Sequence, residues 1–117
     1  MSRSSFQFNS ESHFAVDKPV FAATMTPDAY RAGIHDILLT GNLTLNSPTN
    51  GVDGQVLVIR FIQDASGSRT WTPGTGFHLS SSVSSVALSS AASAVDIMTI
   101  RYRAAARIWD IVDFAKY

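Results

Sequence analysis

No cysteine occurs in the 117 residues, which excludes disulfides and thiolate metal sites. Glutamate is nearly absent. Glu11 is the only one, so any catalytic carboxylate pair would have to come from aspartates. Charge is scarce altogether: charged residues make up 15% of the chain, against roughly 25% in an average globular domain. Nine basic and nine acidic side chains cancel. Without a basic excess to neutralise phosphates, nucleic acid is not an expected partner. No run approaches the ~18 apolar residues of a membrane span. Met1-Ser2-Arg3-Ser4-Ser5 leads into polar Gln7, Asn9, Ser10 and Glu11 without a signal-peptide core. A soluble, non-secreted protein with no membrane partner is expected.

What is present is enough apolar material for one core. Hydrophobic residues make up 45% of the chain, and the length suits a single domain. With so few charges, the surface must be rich in Ser, Thr and Ala or be covered by assembly. A net charge of zero removes long-range repulsion between identical copies and so permits self-association.

Residues 1–17 are polar but carry Phe6, Phe8 and Phe14. Phe6 and Phe8 share a face if the segment is extended. The segment reads either as a frayed terminus or as an arm whose aromatics dock on a neighbouring subunit. A first strand is expected at residues 20–24. Thr26-Pro27-Asp28 through Gly33 spells a tight turn or one helical turn. From Ile34 the period is two, with strands expected at 34–40, 43–45, 55–64, 69–72, 94–103 and 107–114. The apolar run at 55–64 fits a strand buried on both faces or a central one. Residues 79–93 are dominated by serine, with a short strand expected at Val86-Ala87-Leu88. Ala104-Ala105-Ala106 joins the last two strands as a hairpin. The pattern predicts an all-β fold, an antiparallel β-sandwich or jelly roll over residues 18–117, preceded by an extended N-terminal arm at 1–17.

Chemistry is sparse. His13, His35 and His78 lie far apart with no ligand spacing around them, so no metal or cofactor is expected. More than a dozen serines lack a nucleophile elbow or a phosphate loop. Asn50-Gly51-Val52-Asp53-Gly54 reads as a hairpin loop, and Asp96, Asp110 and Asp113 share the final hairpin without an evident cleft. No enzyme is expected. Among the aromatics, Trp71 and Phe77 are candidates for stacking on a ligand, and Trp109 is a candidate for core or intersubunit packing.

Leu39-Thr40-Gly41-Asn42-Leu43-Thr44-Leu45, Ser47-Pro48-Thr49-Asn50-Gly51, Asp53-Gly54-Gln55, Gln63-Asp64-Ala65-Ser66-Gly67-Ser68-Arg69-Thr70, Val95-Asp96 and Trp109-Asp110 follow one another in order. Over residues about 38–114 this series resembles the β-module of tailed-phage tail-fibre, tail-associated and capsid-decorating structural proteins. The most specific piece runs from Gln63 to Thr70. The resemblance implies a virion protein, assembled in the bacterial host cytoplasm, that forms a homotrimer and carries no active site. Because only a short arm precedes the module here, the first expectation is a head-decoration or cementing protein, held to the particle by Phe6, Phe8 and Phe14. The alternatives are a tail or tail-fibre component contacting the host, and a carbohydrate-binding module using Trp71. Expected partners are further copies of the chain, capsid or tail proteins and, in the last two readings, a host surface glycan.

Overall fold

The computed structural model describes residues 15–83 and 85–117. They form nine strands and no helix: β1 (Val16–Asp17), β2 (Thr24–Met25), β3 (Ile34–Leu39), β4 (Leu43–Leu45), β5 (Val56–Gln63), β6 (Trp71–Pro73), β7 (Phe77–Leu79), β8 (Val95–Arg103) and β9 (Ile108–Lys116). A six-stranded sheet runs β1-β3-β5-β8-β9-β7, and a three-stranded sheet runs β2-β4-β6. The expected all-β architecture is borne out.

Strand direction is mixed rather than antiparallel throughout. From β1 to β6 the chain visits the two sheets alternately, and each strand runs parallel to the one laid down a circuit earlier. The three residues between β3 and β4 carry the chain across to the facing sheet instead of back alongside β3. A strand therefore meets its own sheet again travelling in the same direction. Parallel pairs always need such a crossover, and here the opposite sheet supplies it. Antiparallel pairing is confined to β5–β8 and the β8–β9 hairpin, while β7 pairs parallel with β9. An alternating pattern is the same for either direction, so it could not announce this.

Three asparagines tie the circuits together. Asn42 accepts the Thr70 N–H at 3.0 Å, Asn46 donates to the Thr26 hydroxyl at 2.9 Å, and Asn50 donates to Asp28 at 2.9 Å. The Gln63–Thr70 segment forms a tight turn. Asp64 Oδ1 accepts from the N–H groups of Ser66 and Gly67, both at 3.1 Å, while its Oδ2 takes Arg69 Nη2 at 3.0 Å. These bonds hold the Asp64 carboxyl below its ordinary range, the Arg69 bond above all. Gly67 sits at φ +67, and a Cβ there would lie 2.6 Å from the Ser90 carbonyl.

The core lies between the sheets. Leu39, Leu57, Ile59, Met98 and Ile100 of the large sheet meet Leu43, Leu45 and Trp71 of the small one, each fully buried group worth about 1.5–3 kcal/mol. Trp109 joins them. A bulge between Thr99 and Ile100 on the β8–β9 ladder reverses the phase of β9. Trp109 and Ile111 point inward before it, and Phe114 packs on the core after it.

Other differences from the expected strands have simple causes. Val20 is 93% exposed, and of the strand expected at 20–24 only Thr24 lies in one, as the first residue of β2. β1 lies inside the segment read as the arm. Val86 and Leu88 form no strand; they are loop residues packed against the core. The Trp71 indole N–H holds that loop by donating to the Val86 carbonyl at 2.7 Å. β7 was not anticipated. Residues 26–33 form a turn at Ala29–Arg31, as expected.

Candidate functional site

The outward face of the six-stranded sheet is unusual for a face in contact with water. Solvated sheet faces normally alternate apolar-in with polar-out. Here the outward positions of β5 are Val56, Val58, Arg60 and Ile62. The register sets Ile34 beside Val58 and Thr99, Asp36 beside Arg60 and Ile97, and Leu38 beside Ile62 and Val95. The result is a continuous β-branched and aliphatic surface across β3, β5 and β8. Leu38 and Val56 are about half exposed, at 51% and 52%.

One charge pair interrupts it. Asp36 and Arg60, directly opposite on neighbouring parallel strands, form a two-bond pair, with Arg60 Nη2 2.7 Å from Asp36 Oδ2. Their charges cancel locally, while Arg101 of β8 stands exposed on the same face opposite Val56 and bounds the apolar surface there. Towards β9 the surface becomes polar. Asp110 there holds Arg103 through two bonds at 2.7 and 2.9 Å and faces His78 Nδ1 at 3.3 Å. Arg103, and after it His78, keep the Asp110 carboxyl below its ordinary range. An apolar patch with a polar rim is the usual composition of a protein contact surface.

The residues singled out from the sequence lie elsewhere. Phe6, Phe8 and Phe14 fall outside the described residues. Trp109 is 1% exposed within its own chain. Its ring lies 4.7 Å from Tyr102, and its N–H donates to the Pro48 carbonyl at 3.2 Å. Its packing is in the core of its own chain. Trp71 is 8% exposed and sits between Phe61, at 5.0 Å, and the edge of half-buried Phe77, at 6.0 Å. The pair forms one wall of the core and offers no open platform to a sugar. A single sequence signal did point to the outer face: the near-continuous apolar run of β5, broken only by Arg60 before its terminal Gln63.

A family model described as "Putative phage tail fibre C-terminal domain" matches residues 25–106. No curated protein matches the chain.

Proposed function

Because this chain belongs to the phage tail fibre C-terminal domain family, we propose that it is a non-catalytic tail-fibre module whose copies pack through the outward face of the six-stranded sheet. The family makes it a tail-related structural component of a phage virion. That supports the tail alternative over the head-decoration expectation. The observation carrying the packing proposal is the apolar row of Ile34, Leu38, Val56, Val58, Ile62 and Ile97, with no strand of the described residues laid over it. Gathering these faces of neighbouring copies around a shared axis removes apolar surface from water.

The copy number we propose, three, follows from the resemblance to trimeric phage modules. A non-catalytic role is supported by how the aspartates are used: Asp36, Asp64, Asp96 and Asp110 are engaged by Arg60, Arg69, Ser89 and Arg103 in structural bonds. Residues 1–14 are proposed as the segment that attaches the module to the particle.

Light scattering on a size-exclusion column should return three chain masses at micromolar concentration. A stable monomer would overturn the packing proposal. Gold-labelled antibody should decorate tails in electron micrographs; label confined to heads would overturn the tail assignment. Deleting residues 1–14 should leave the melting temperature unchanged and reduce incorporation into particles. Unchanged incorporation would remove the attachment role.

A further inference from the structure

The Asp36–Arg60 pair stands in the middle of the apolar outward face. The register sets the two side by side on β3 and β5, with Ile97 of β8 next along the same row. One outward step to either side on β3 and β5 are Ile34, Leu38, Val58 and Ile62. In the single chain the Arg60 side chain is 35% exposed and that of Asp36 11%. A pair so open to water contributes little to the stability of its own chain. It stands where covering of the face by other copies would bury it.

A guanidinium carries N–H donors on all three of its nitrogens. Arg60 places Nε and Nη2 on the two oxygens of Asp36, and its Nη1 makes no hydrogen bond among the described residues. Water serves that nitrogen while the face is open. Once the face is covered, a donor without an acceptor carries a desolvation cost, so the covering surface must present an acceptor at this level. A second copy of the same face does. Asp36 is the only carboxylate on the outward positions of β3, β5 and β8, and each of its oxygens can accept again after one bond from Arg60. The Thr99 hydroxyl stands level with Val58, one outward step away. Asp110 and Asp113 lie farther out on β9, and Asp110 is already held by Arg103.

Asp36 and Arg60 share one level across the sheet, so an axis running parallel to β5 brings the pairs of all copies to one height. We propose that each Arg60 donates through Nη1 to the Asp36 carboxylate of the next copy. The bonds close into a ring of alternating arginines and aspartates that sets the register and the number of copies. This inference rests on the packing proposed above and adds what makes that packing specific. The apolar residues around the ring favour any association that covers them. The ring is satisfied only when the faces meet in one register, and in a cyclic assembly every copy gives and receives the same bond. A polar group inside an apolar interface fixes register and oligomer state in coiled coils by the same logic.

The test uses the full chain. Arg60→Lys keeps the positive charge beside Asp36 but loses the planar fork that can serve two carboxylates at once. In a light-scattering dilution series it should weaken association about tenfold or more, an effect of about 1.4 kcal/mol, and leave the melting temperature of the diluted single chain in place. The joint variant Asp36→Leu with Arg60→Met should still associate through its apolar face. Equilibrated with isotope-labelled native chain, it should sort into unmixed assemblies in native mass spectra, because a mixed contact leaves a native Arg60 against an apolar side chain. Association of Arg60→Lys equal to that of the native chain would overturn the ring, and so would statistical mixing of the joint variant with native chain. Mixing also decides the matter if Arg60→Lys does not fold. If Leu38→Glu dissociates the assembly while either of those results holds, packing through this face stands and the ring alone falls. A monomeric native chain overturns both.

Discussion

Ser89 places its backbone N–H, at 2.6 Å, and its hydroxyl, at 2.8 Å, on the two carboxylate oxygens of Asp96. Asp96 is 1% exposed, so the inward-facing carboxylate of β8 is spent on holding the serine-rich loop. Gln63, on the neighbouring strand, does the same work with its amide. It donates to the carbonyls of Arg69, at 2.8 Å, and Ser89, at 2.9 Å, and accepts the Arg69 N–H at 3.0 Å. Replacing Asp96 by Ala would leave the Ser89 donors without that partner. Asp96→Ala should lose about 2–3 kcal/mol of unfolding free energy and Asp96→Asn less, as measured by urea denaturation. A loss within error of zero would mean that the loop is held by other contacts.

Gly51 lies under the Trp109 indole. A Cβ there would stand 2.7 Å from Trp109 Cζ2 and 2.9 Å from Tyr102 Cδ2. The indole cannot slide away freely, because its N–H is anchored on the Pro48 carbonyl. Gly51→Ala should cost about 1–3 kcal/mol, the usual range for overpacking, and alter the near-ultraviolet circular dichroism of the Trp109–Tyr102 pair. The positive φ of this Asn-Gly turn belongs to Asn50, at +61, and not to Gly51. The glycine is needed here for its missing side chain.

Leu38 marks the edge of the apolar outward face. Leu38→Glu should leave the melting temperature nearly unchanged, since the side chain is 51% exposed in the single chain. It should nevertheless shift the oligomer toward monomer. Losing a buried leucine of about 1.5–3 kcal/mol weakens association about ten- to a hundredfold per contact. Light scattering over a dilution series reads the change; an unaltered series would place the contact on another surface.

Acid should weaken the fold in two stages. Burial holds the His35 imidazole below its ordinary value of 6.5, outweighing the Ala32 carbonyl, Asp17 and Asp28, which pull the other way. The unfolded chain therefore takes up this proton at a higher pH than the folded one. Stability from this group is complete above 6.5 and declines as pH falls from there toward the folded value. Asp28, Asp64 and Asp110 are held below their ordinary value of 3.8, and their contribution is lost only as pH falls through that region. Denaturation midpoints between pH 7 and 5 should fall for the native chain and stay flatter for His35→Gln. Parallel profiles for the two proteins would remove His35 from the first stage.

Much of the fold was legible because local chemistry dictated it. The alternation of β3, β5 and β8 and the hairpin at Ala104-Ala105-Ala106 rest on side-chain period and turn residues. The Asp64 turn rests on a carboxylate two and three residues before the N–H groups it accepts. Exposure is not a property of residue type, and Trp71, a candidate for stacking on a ligand, is 8% exposed. In the folded chain its ring is enclosed by Phe61 and Phe77. Asp17, Asp28 and His35 are spread over 19 positions, and only the β1–β3 pairing sets Asp17 beside His35.

By itself the sequence determined the long strands β3, β5, β8 and β9 and the turns beside them, because period-two burial and turn chemistry act over a few residues. The near-continuous apolar β5 run also marked a central strand, one of the two readings it allowed. The tertiary structure decided the direction in which strands pair, since a corner of three residues sends the chain to the opposite sheet whatever the pattern on either side. It also decided where the bulge reverses β9, which fixes Trp109 and Phe114 on the same side of the sheet. And it decided that Asp17 stands beside His35, because that depends on two strands meeting in one register.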